Sequence, residues 1–251
     1  MSVALITAGS AGLGAAAARA FAKDGYRVIV NYANNEERAN KLLAELPALS
    51  PLPQDSGANN FIAIKADLGS RDEINRLIQE SVDRFGRLDV IFSNGGWTRF
   101  RGMVSIDENV FEDEWDGAFN MNVKSHLWLM HAAKKHLDET EGAFISTASV
   151  GGVIPSGSSL AYSVTKAAQI HLMKALAIMA APKIRVNTVS PGLLLTEWAN
   201  VFSDETKEKH RQNTKLKRFV TVEDVAEQVL VFAKTKSMTG VNVVMDAGFI
   251  L

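Results

Sequence analysis

Seven short apolar runs alternate with helix-forming segments from one end of this 251-residue chain to the other. Steady strand–helix alternation predicts an α/β fold: a doubly wound, seven-stranded parallel sheet with helices on both faces, in three layers. Two further observations agree. The first apolar run ends in a glycine-rich turn that opens into an alanine-rich segment, and chemistry-bearing side chains recur just past the ends of later runs. In an open parallel sheet that edge is where ligands bind.

The length suits one large domain with a full core or two small ones; the unbroken alternation makes residues 1–251 the single expected domain. The counts of 27 Lys+Arg and 28 Asp+Glu leave a net charge of −1, which gives no electrostatic reason to expect nucleic acid or an acidic membrane as partner. There is no cysteine, which excludes disulfides, thiolate nucleophiles and Cys-ligated metals and fits a reducing compartment. No apolar run has the length of a membrane span. The first basic residue is Arg19, so the basic region of a secretory leader is missing. The expectation is a soluble, cytoplasmic protein.

Val3 to Thr7 reads as the first strand, followed by Ala8-Gly9-Ser10-Ala11-Gly12-Leu13-Gly14 and the helix-forming stretch Ala15 to Lys23. Strand, glycine turn and helix are the context in which backbone can approach a pyrophosphate at a helix N-terminus. Arg27 to Tyr32 is the second strand and Asn34 to Leu46 a helix. Residues 47–60 hold three of the six prolines and read as a mobile surface excursion. Phe61 to Ala66 forms the third strand, closed by Asp67-Leu68. Ile74, Leu77, Ile78, Val82 and Phe85 then recur at helical spacing. Asp67 also reads as an ordinary helix-capping aspartate.

Asp89 to Ser93 is the fourth strand, ending in Asn94-Gly95-Gly96, and Glu112 to Leu137 is helical. His126, His131 and His136 recur every five residues, which scatters them round a helix. They imply no metal site, and a solvated or interface role suits them. Ala143 to Ala148 is the fifth strand, Tyr162 to Ala180 a helix, and Lys183 to Val189 the sixth strand, running into Ser190-Pro191-Gly192. Residues 193–219 read as a lid. Thr221 and Asp224 form a capping box for a last helix, and Gly240 to Met245 is the last strand.

The stretch from Ser149 to Lys166 carries the chemistry. Tyr162 and Lys166 are four residues apart, so on a helix they share a face. An ammonium beside a phenol favours the phenolate and should draw the Tyr162 pKa down from about 10 towards neutrality. Ser149, delivered by the strand before, can hydrogen-bond the same reacting oxygen. Together they suit interconversion of a carbonyl and an alcohol.

Ser149, Tyr162 and Lys166 at this spacing resemble the signature of the short-chain dehydrogenase/reductase family. The N-terminal turn resembles that family's Thr-Gly-x-x-x-Gly-x-Gly, with Thr7, Gly12 and Gly14 matching and Ala8 departing; either Ala8 is strained or Gly9 takes over part of the missing glycine's role. Ser93-Asn94-Gly95-Gly96 is similar to its Asn-Asn-Ala-Gly turn, and Pro191-Gly192 with Thr196 to the segment that lies against the nicotinamide. The resemblance covers almost the whole chain and implies a Rossmann-type sheet. It implies Asn122 as organiser of a relay water, Ser149 as stabiliser, Tyr162 as proton donor and Lys166 as holder of the nicotinamide ribose. It further implies cofactor contacts from Thr7, Gly9, Ser10, Gly12, Leu13, Gly14, Tyr32, Asn34, Asp67, Leu68, Asn94, Gly95, Pro191, Gly192 and Thr196, and no metal.

The implied activity is hydride transfer between a nicotinamide dinucleotide and a small carbonyl or alcohol compound. Rival readings are another chemistry on the same fold (epimerase, dehydratase, enoyl reductase) and a non-catalytic dinucleotide sensor. No carboxylate stands at the end of the second strand before Glu36, so a modest preference for NADP over NAD is expected, one that could extend to dual use. Asn31, Tyr32, Asn34 and Asn35 are possible donors to its phosphate, with Arg38 and Lys41 further off on the next helix. Val153, Ile154, Leu193, Leu194, Trp198, Val201 and Phe202, with Trp97 and Phe100, could line an apolar pocket for an aromatic or apolar carbonyl compound. Family members pair through the helices bearing the asparagine and the tyrosine, so a homodimer or homotetramer is expected, with Trp128, Met130, Leu172 and Met173 as added apolar surface.

Overall fold

The computed structural model describes residues 1–53 and 59–251. Strands β1 (Val3–Ile6), β2 (Arg27–Tyr32), β3 (Phe61–Lys65), β4 (Val90–Ser93), β5 (Ala143–Thr147), β6 (Arg185–Pro191) and β7 (Asn242–Met245) form a single seven-stranded sheet in the order β3-β2-β1-β4-β5-β6-β7. Every pairing is parallel. The order reverses between β1 and β4, which opens a crevice at their carboxyl ends.

Side chains alternate across the sheet, as the two-residue period of a strand requires. Ala4, Ile6, Val28, Val30, Phe92 and Ile145 face one layer, built from α1 (Gly12–Lys23), α2 (Glu36–Leu49) and α8 (Val222–Lys234). Val3, Leu5, Ile29, Ile91 and Phe144 face the other layer, built from α3 (Arg71–Phe85), α5 (Ser125–Thr140) and α6 (Leu160–Ala180). The alanines of α1 are buried almost without exception. Small side chains there let α1 lie close to both the sheet and α8. At the far end of α8, the buried Arg185 guanidinium donates to the carbonyls of Phe232, Ala233 and Thr235. It satisfies the carbonyls that a helix leaves without partners.

Several boundaries differ from the sequence reading. Helix α2 starts at Glu36, capped by the Asn35 side chain, and runs through Pro47 to Leu49, so residues 47–49 belong to a helix and not to the expected surface loop. Residues 54–58 of that loop lie outside the described residues. The helix expected from Glu112 divides into α4 (Glu112–Phe119), a π turn (Asn120–Lys124) and α5, which continues to Thr140. At α8 only half of the capping box forms: Thr221 Oγ1 accepts from Asp224 N at 3.1 Å. Residues 193–219 contain a 3₁₀ turn (Glu197–Val201) and α7 (Asp204–Asn213).

Met130 and Met173 are buried within the subunit core, so neither supplies the shared surface expected of it. Trp128 and Leu172 pack half-buried against the same core. The exposed apolar residues on α5 and α6 are instead Leu127, Val164, Ile178 and Met179.

Candidate active site

The glycine turn is built by tight backbone contacts. Ala8 takes a left-handed conformation, φ +47°, where a Cβ costs about 1–2 kcal/mol. Ala8 itself therefore adopts the unusual conformation, and Gly9 does not relieve it. Gly9 is needed because a Cβ would lie 2.8 Å from Ile6 O; a Cβ on Gly14 would lie 2.3 Å from Ala8 O. Ala8 N donates to Asn31 Oδ1 at 3.1 Å. The Asn31 amide also reaches the Ala66 carbonyl at 3.0 Å, so this buried residue ties β2 to its neighbours and is not available to a phosphate. Thr7 Oγ1 accepts from Asn94 N at 2.8 Å, clamping β1 to the turn after β4.

A cavity of about 550 Å³ opens along the carboxyl edge of the sheet. Ser10, Gly12 and Leu13 form one wall, with Tyr32 and Asn34 at the end of β2. Asn94, Ser149, Tyr162, Lys166, Pro191, Gly192 and Thr196 complete the stretch that the sequence singled out. Thr7, Gly9, Gly14, Leu68 and Gly95 lie behind the wall, where they shape the turns. Asp67 is exposed and outside the wall; its Oδ1 accepts from Gly69 N at 2.8 Å. The apolar end of the cavity is lined by Phe100, Leu193, Leu194, Trp198 and Phe202, with the Phe100 and Phe202 rings edge to face, centroids 5.5 Å apart. Val153 and Val201 are exposed, and neither they nor Ile154 and Trp97 line it.

Ser149 caps the short turn after β5, its Oγ accepting from Gly151 N at 3.1 Å. With one lone pair so occupied, its hydroxyl hydrogen is free to point at a neighbour. Helix α6 starts at a Ser159 cap, and its first two turns bring Tyr162 and Lys166 to the same wall. Burial pushes the Tyr162 phenol above its usual pKa, and the Ser149 hydroxyl beside it pulls the other way. The lowering expected from Lys166 is therefore absent: the lysine is itself buried and brought down to about 7 by that burial. Its Nζ donates to Thr147 O and Gln169 Oε1, each at 2.9 Å, and lies 5.7 Å from the Tyr162 ring centre. Two of its three N–H groups are thus used and one is open.

Asn122 lies in the π turn, fully buried. Such a turn shifts one residue out of α-helical register and is frequent at functional sites. Its Oδ1 accepts from Trp97 N at 2.7 Å, and its Nδ2 donates to Trp97 O at 2.9 Å and Thr165 Oγ1 at 3.0 Å. Both Nδ2 hydrogens and one Oδ1 lone pair are used, so Asn122 fixes the Trp97 backbone beside Lys166.

Four features escaped the sequence reading. Gln169, three residues beyond Lys166, holds the ammonium and also donates to Thr147 O; the i, i+3 spacing was the available signal. Gly96 sits where a Cβ would meet Asn122 Oδ1 and Lys166 Nζ, each at 3.5 Å. Arg38 lines the cavity, although the sequence placed it far off. His126 is fully buried with Nδ1 2.6 Å from Ser93 Oγ, in neither the solvated nor the interface role expected of it. Burial, with Lys166 nearby, holds its pKa at about 3. Among the described residues no group of three or more His, Cys, Asp or Glu could hold a metal, and no helix is long and apolar enough to cross a membrane.

The fold and this cavity define a class: a doubly wound sheet whose glycine turn and serine–tyrosine–lysine wall share one cleft. The family profile described as enoyl-(acyl carrier protein) reductase matches residues 7–250. A 3-oxoacyl-[acyl-carrier-protein] reductase FabG of Staphylococcus aureus strain Mu50 is 34% identical over 249 residues, 98% of this chain and 96% of that protein. Its Staphylococcus epidermidis counterpart is 32% identical over 249 residues, 98% of this chain and 97% of that one. Among solved structures, a short-chain dehydrogenase from Burkholderia cenocepacia in complex with NADP superposes with a TM-score of 0.88 at 29% identity, covering 100% of this chain and 98% of that one. A 3-ketoacyl-(acyl-carrier-protein) reductase from Brucella melitensis complexed with NADH gives 0.86 at 25%, with the same coverage. The chain belongs to the short-chain dehydrogenase/reductase family, oxidoreductases that act on a carbonyl or hydroxyl group with a nicotinamide dinucleotide.

Proposed function

We propose that this protein is an NADPH-favouring ketone reductase, with Tyr162 as the proton donor. The observation that carries it is the shared cavity: Ser149, Tyr162 and Lys166 stand at one end of a cleft whose other end is the glycine turn. The cleft suits a dinucleotide. Gly12 has φ +49° and a Cβ there would meet Thr196 Cγ2 at 3.1 Å, so a glycine suits the position and leaves its backbone open to a pyrophosphate at the start of α1. Ser10, Gly12, Leu13, Asn94, Pro191, Gly192 and Thr196 would hold the cofactor along its length, with Tyr32 and Asn34 at the adenosine ribose. When bound, it supplies the hydride.

The protein's own residues handle the proton. Tyr162 remains a phenol, the form that can protonate a carbonyl oxygen as negative charge develops on it. The Ser149 hydrogen, left free by the Gly151 contact, donates to that same oxygen. Lys166, held by Thr147 and Gln169, stabilises the phenolate formed and has one N–H for the nicotinamide ribose. With a pKa of about 7, it can also pass a proton on near neutrality. Asn122 acts as a positioning residue behind it.

The apolar wall of Phe100, Leu193, Leu194, Trp198 and Phe202 suits a carbonyl compound with an aromatic or acyl substituent. The ketoacyl reductases among the relatives point the same way. Residues 193–219, which the sequence reads as a lid, contribute Leu193, Leu194, Trp198 and Phe202 to this wall. The profile's description favours a second reading, reduction of an enoyl thioester. Initial rates of NADPH oxidation with aryl ketones, 3-oxoacyl thioesters, enoyl thioesters and phosphorylated ketones decide between them: turnover of enoyl thioesters alone, or a preference for the charged ketones, would overturn the proposal. The reading includes a cytoplasmic homodimer or homotetramer, with Leu127, Val164, Ile178 and Met179 as available apolar surface; a monomeric mass by light scattering would remove the oligomer.

A further inference from the structure

Arg38 and Glu197 are 159 residues apart, yet Arg38 Nη1 donates to both carboxylate oxygens, at 2.8 and 2.7 Å. Both side chains line the cavity. Arg38 comes from the first turn of α2, just past β2, and Glu197 opens the 3₁₀ turn that follows β6. Its neighbour Thr196 lies on Gly12, so the pair bridges the cleft beyond the glycine turn, at its adenosine end. Among the described residues Arg38 Nε has no hydrogen-bond partner and Glu197 engages Nη1 alone, which leaves the guanidinium with unused donor capacity. The end of β2 has no carboxylate, the group that binds a ribose diol in this kind of cleft. Glu197 brings one to the first turn of α2 from the segment after β6.

We propose that Glu197 is a specificity-determining residue that sets the balance between NADPH and NADH through its hold on Arg38. The inference rests on the dinucleotide reading given above. A 2′-phosphate must take Arg38 from Glu197 and then sit beside a like charge. A phosphate with charge near −2 and several acceptor oxygens wins that exchange. The partly exposed ion pair is weak enough to be displaced. A ribose diol, by contrast, donates to the carboxylate and leaves the ion pair intact. The cleft therefore takes both cofactors, and Glu197 restrains the preference for NADPH.

Isothermal titration of wild type, Glu197→Gln and Arg38→Gln with NADPH, NADH and adenosine 2′,5′-bisphosphate tests this without turnover. Glu197→Gln should tighten NADPH and the bisphosphate by about twofold to fivefold, the size of one exposed charge interaction, and should not tighten NADH. Raising the salt to about 0.5 M should shrink that gain. Arg38→Gln should weaken NADPH and the bisphosphate by about tenfold or more, and NADH by less. Equal effects of Glu197→Gln on both dinucleotides, or none on NADPH, would overturn this proposal alone. Failure of the wild type to bind either dinucleotide would overturn it together with the cofactor reading.

Discussion

Replacing Lys166 with Met removes a buried ammonium and keeps an unbranched side chain of similar length. In the folded protein burial takes the Lys166 pKa from 10.5 to about 7. The unfolded chain therefore binds this proton more tightly than the folded one between those values. Each pKa unit is worth about 1.4 kcal/mol, so the penalty approaches about 5 kcal/mol below pH 7 and is relieved as pH rises towards 10.5. Between pH 6.5 and pH 9.5 the wild type should gain about 3 kcal/mol from this group alone. The variant lacks that gain. Its own loss is nearly independent of pH: Thr147 O keeps the Gln169 Nε2 bond at 3.1 Å, and only Gln169 Oε1 loses its partner, at about 1–3 kcal/mol. Lys166→Met should thus be more stable than wild type at pH 6.5, and its advantage should fall by about 3 kcal/mol by pH 9.5. Urea unfolding followed by tryptophan fluorescence at several pH values measures the difference, in which other titrating groups cancel. A difference that stays level across the range would refute the account of Lys166 as a desolvated cation.

Tyr162→Phe should leave NADPH affinity within about threefold while turnover falls by about 10²–10⁴; near-normal kcat in a steady-state assay would remove Tyr162 from the proposed role. For the buried His126, with a folded pKa of about 3 against 6.5 unfolded, stability is lost as pH falls below 6.5. The double variant Ser93→Ala/His126→Val should therefore lose about 2 kcal/mol less than wild type between pH 6.5 and pH 4.5, checked by urea unfolding at each pH. Thr7→Val leaves Asn94 N without its acceptor and should cost about 1–3 kcal/mol, with Thr7→Ser recovering most of it in the same unfolding assay.

The sequence by itself determined the order of strands and helices, because apolar runs alternating with helix formers leave a parallel sheet as the arrangement that buries both faces. It also placed Ser149, Tyr162 and Lys166 at the carboxyl edge, whereas Asp67, expected beside them, stays outside the cavity wall and Arg38, read as remote, lines it. Ser149, Tyr162 and Lys166 are local to one strand end and one helix, so their spacing is enough to bring them together.

Tertiary structure decided whatever depended on distant partners. Arg38 read as remote because the turn of α2 that aims it at the cleft, and Glu197 that meets it there, are not neighbours in sequence. Asn31 read as a phosphate donor, but its amide is consumed by Ala8 N and the carbonyl of Ala66. His126 read as solvated or at an interface because five-residue spacing says nothing about what packs over a helix; it is fully buried, with Ser93 on β4 against it and Lys166 of α6 nearby. The Tyr162 pKa was misjudged for the same reason. Proximity of a cation is visible in a Tyr-x-x-x-Lys spacing, but the burial that opposes it is created only when β5, α6 and the turn after β4 close round the pair.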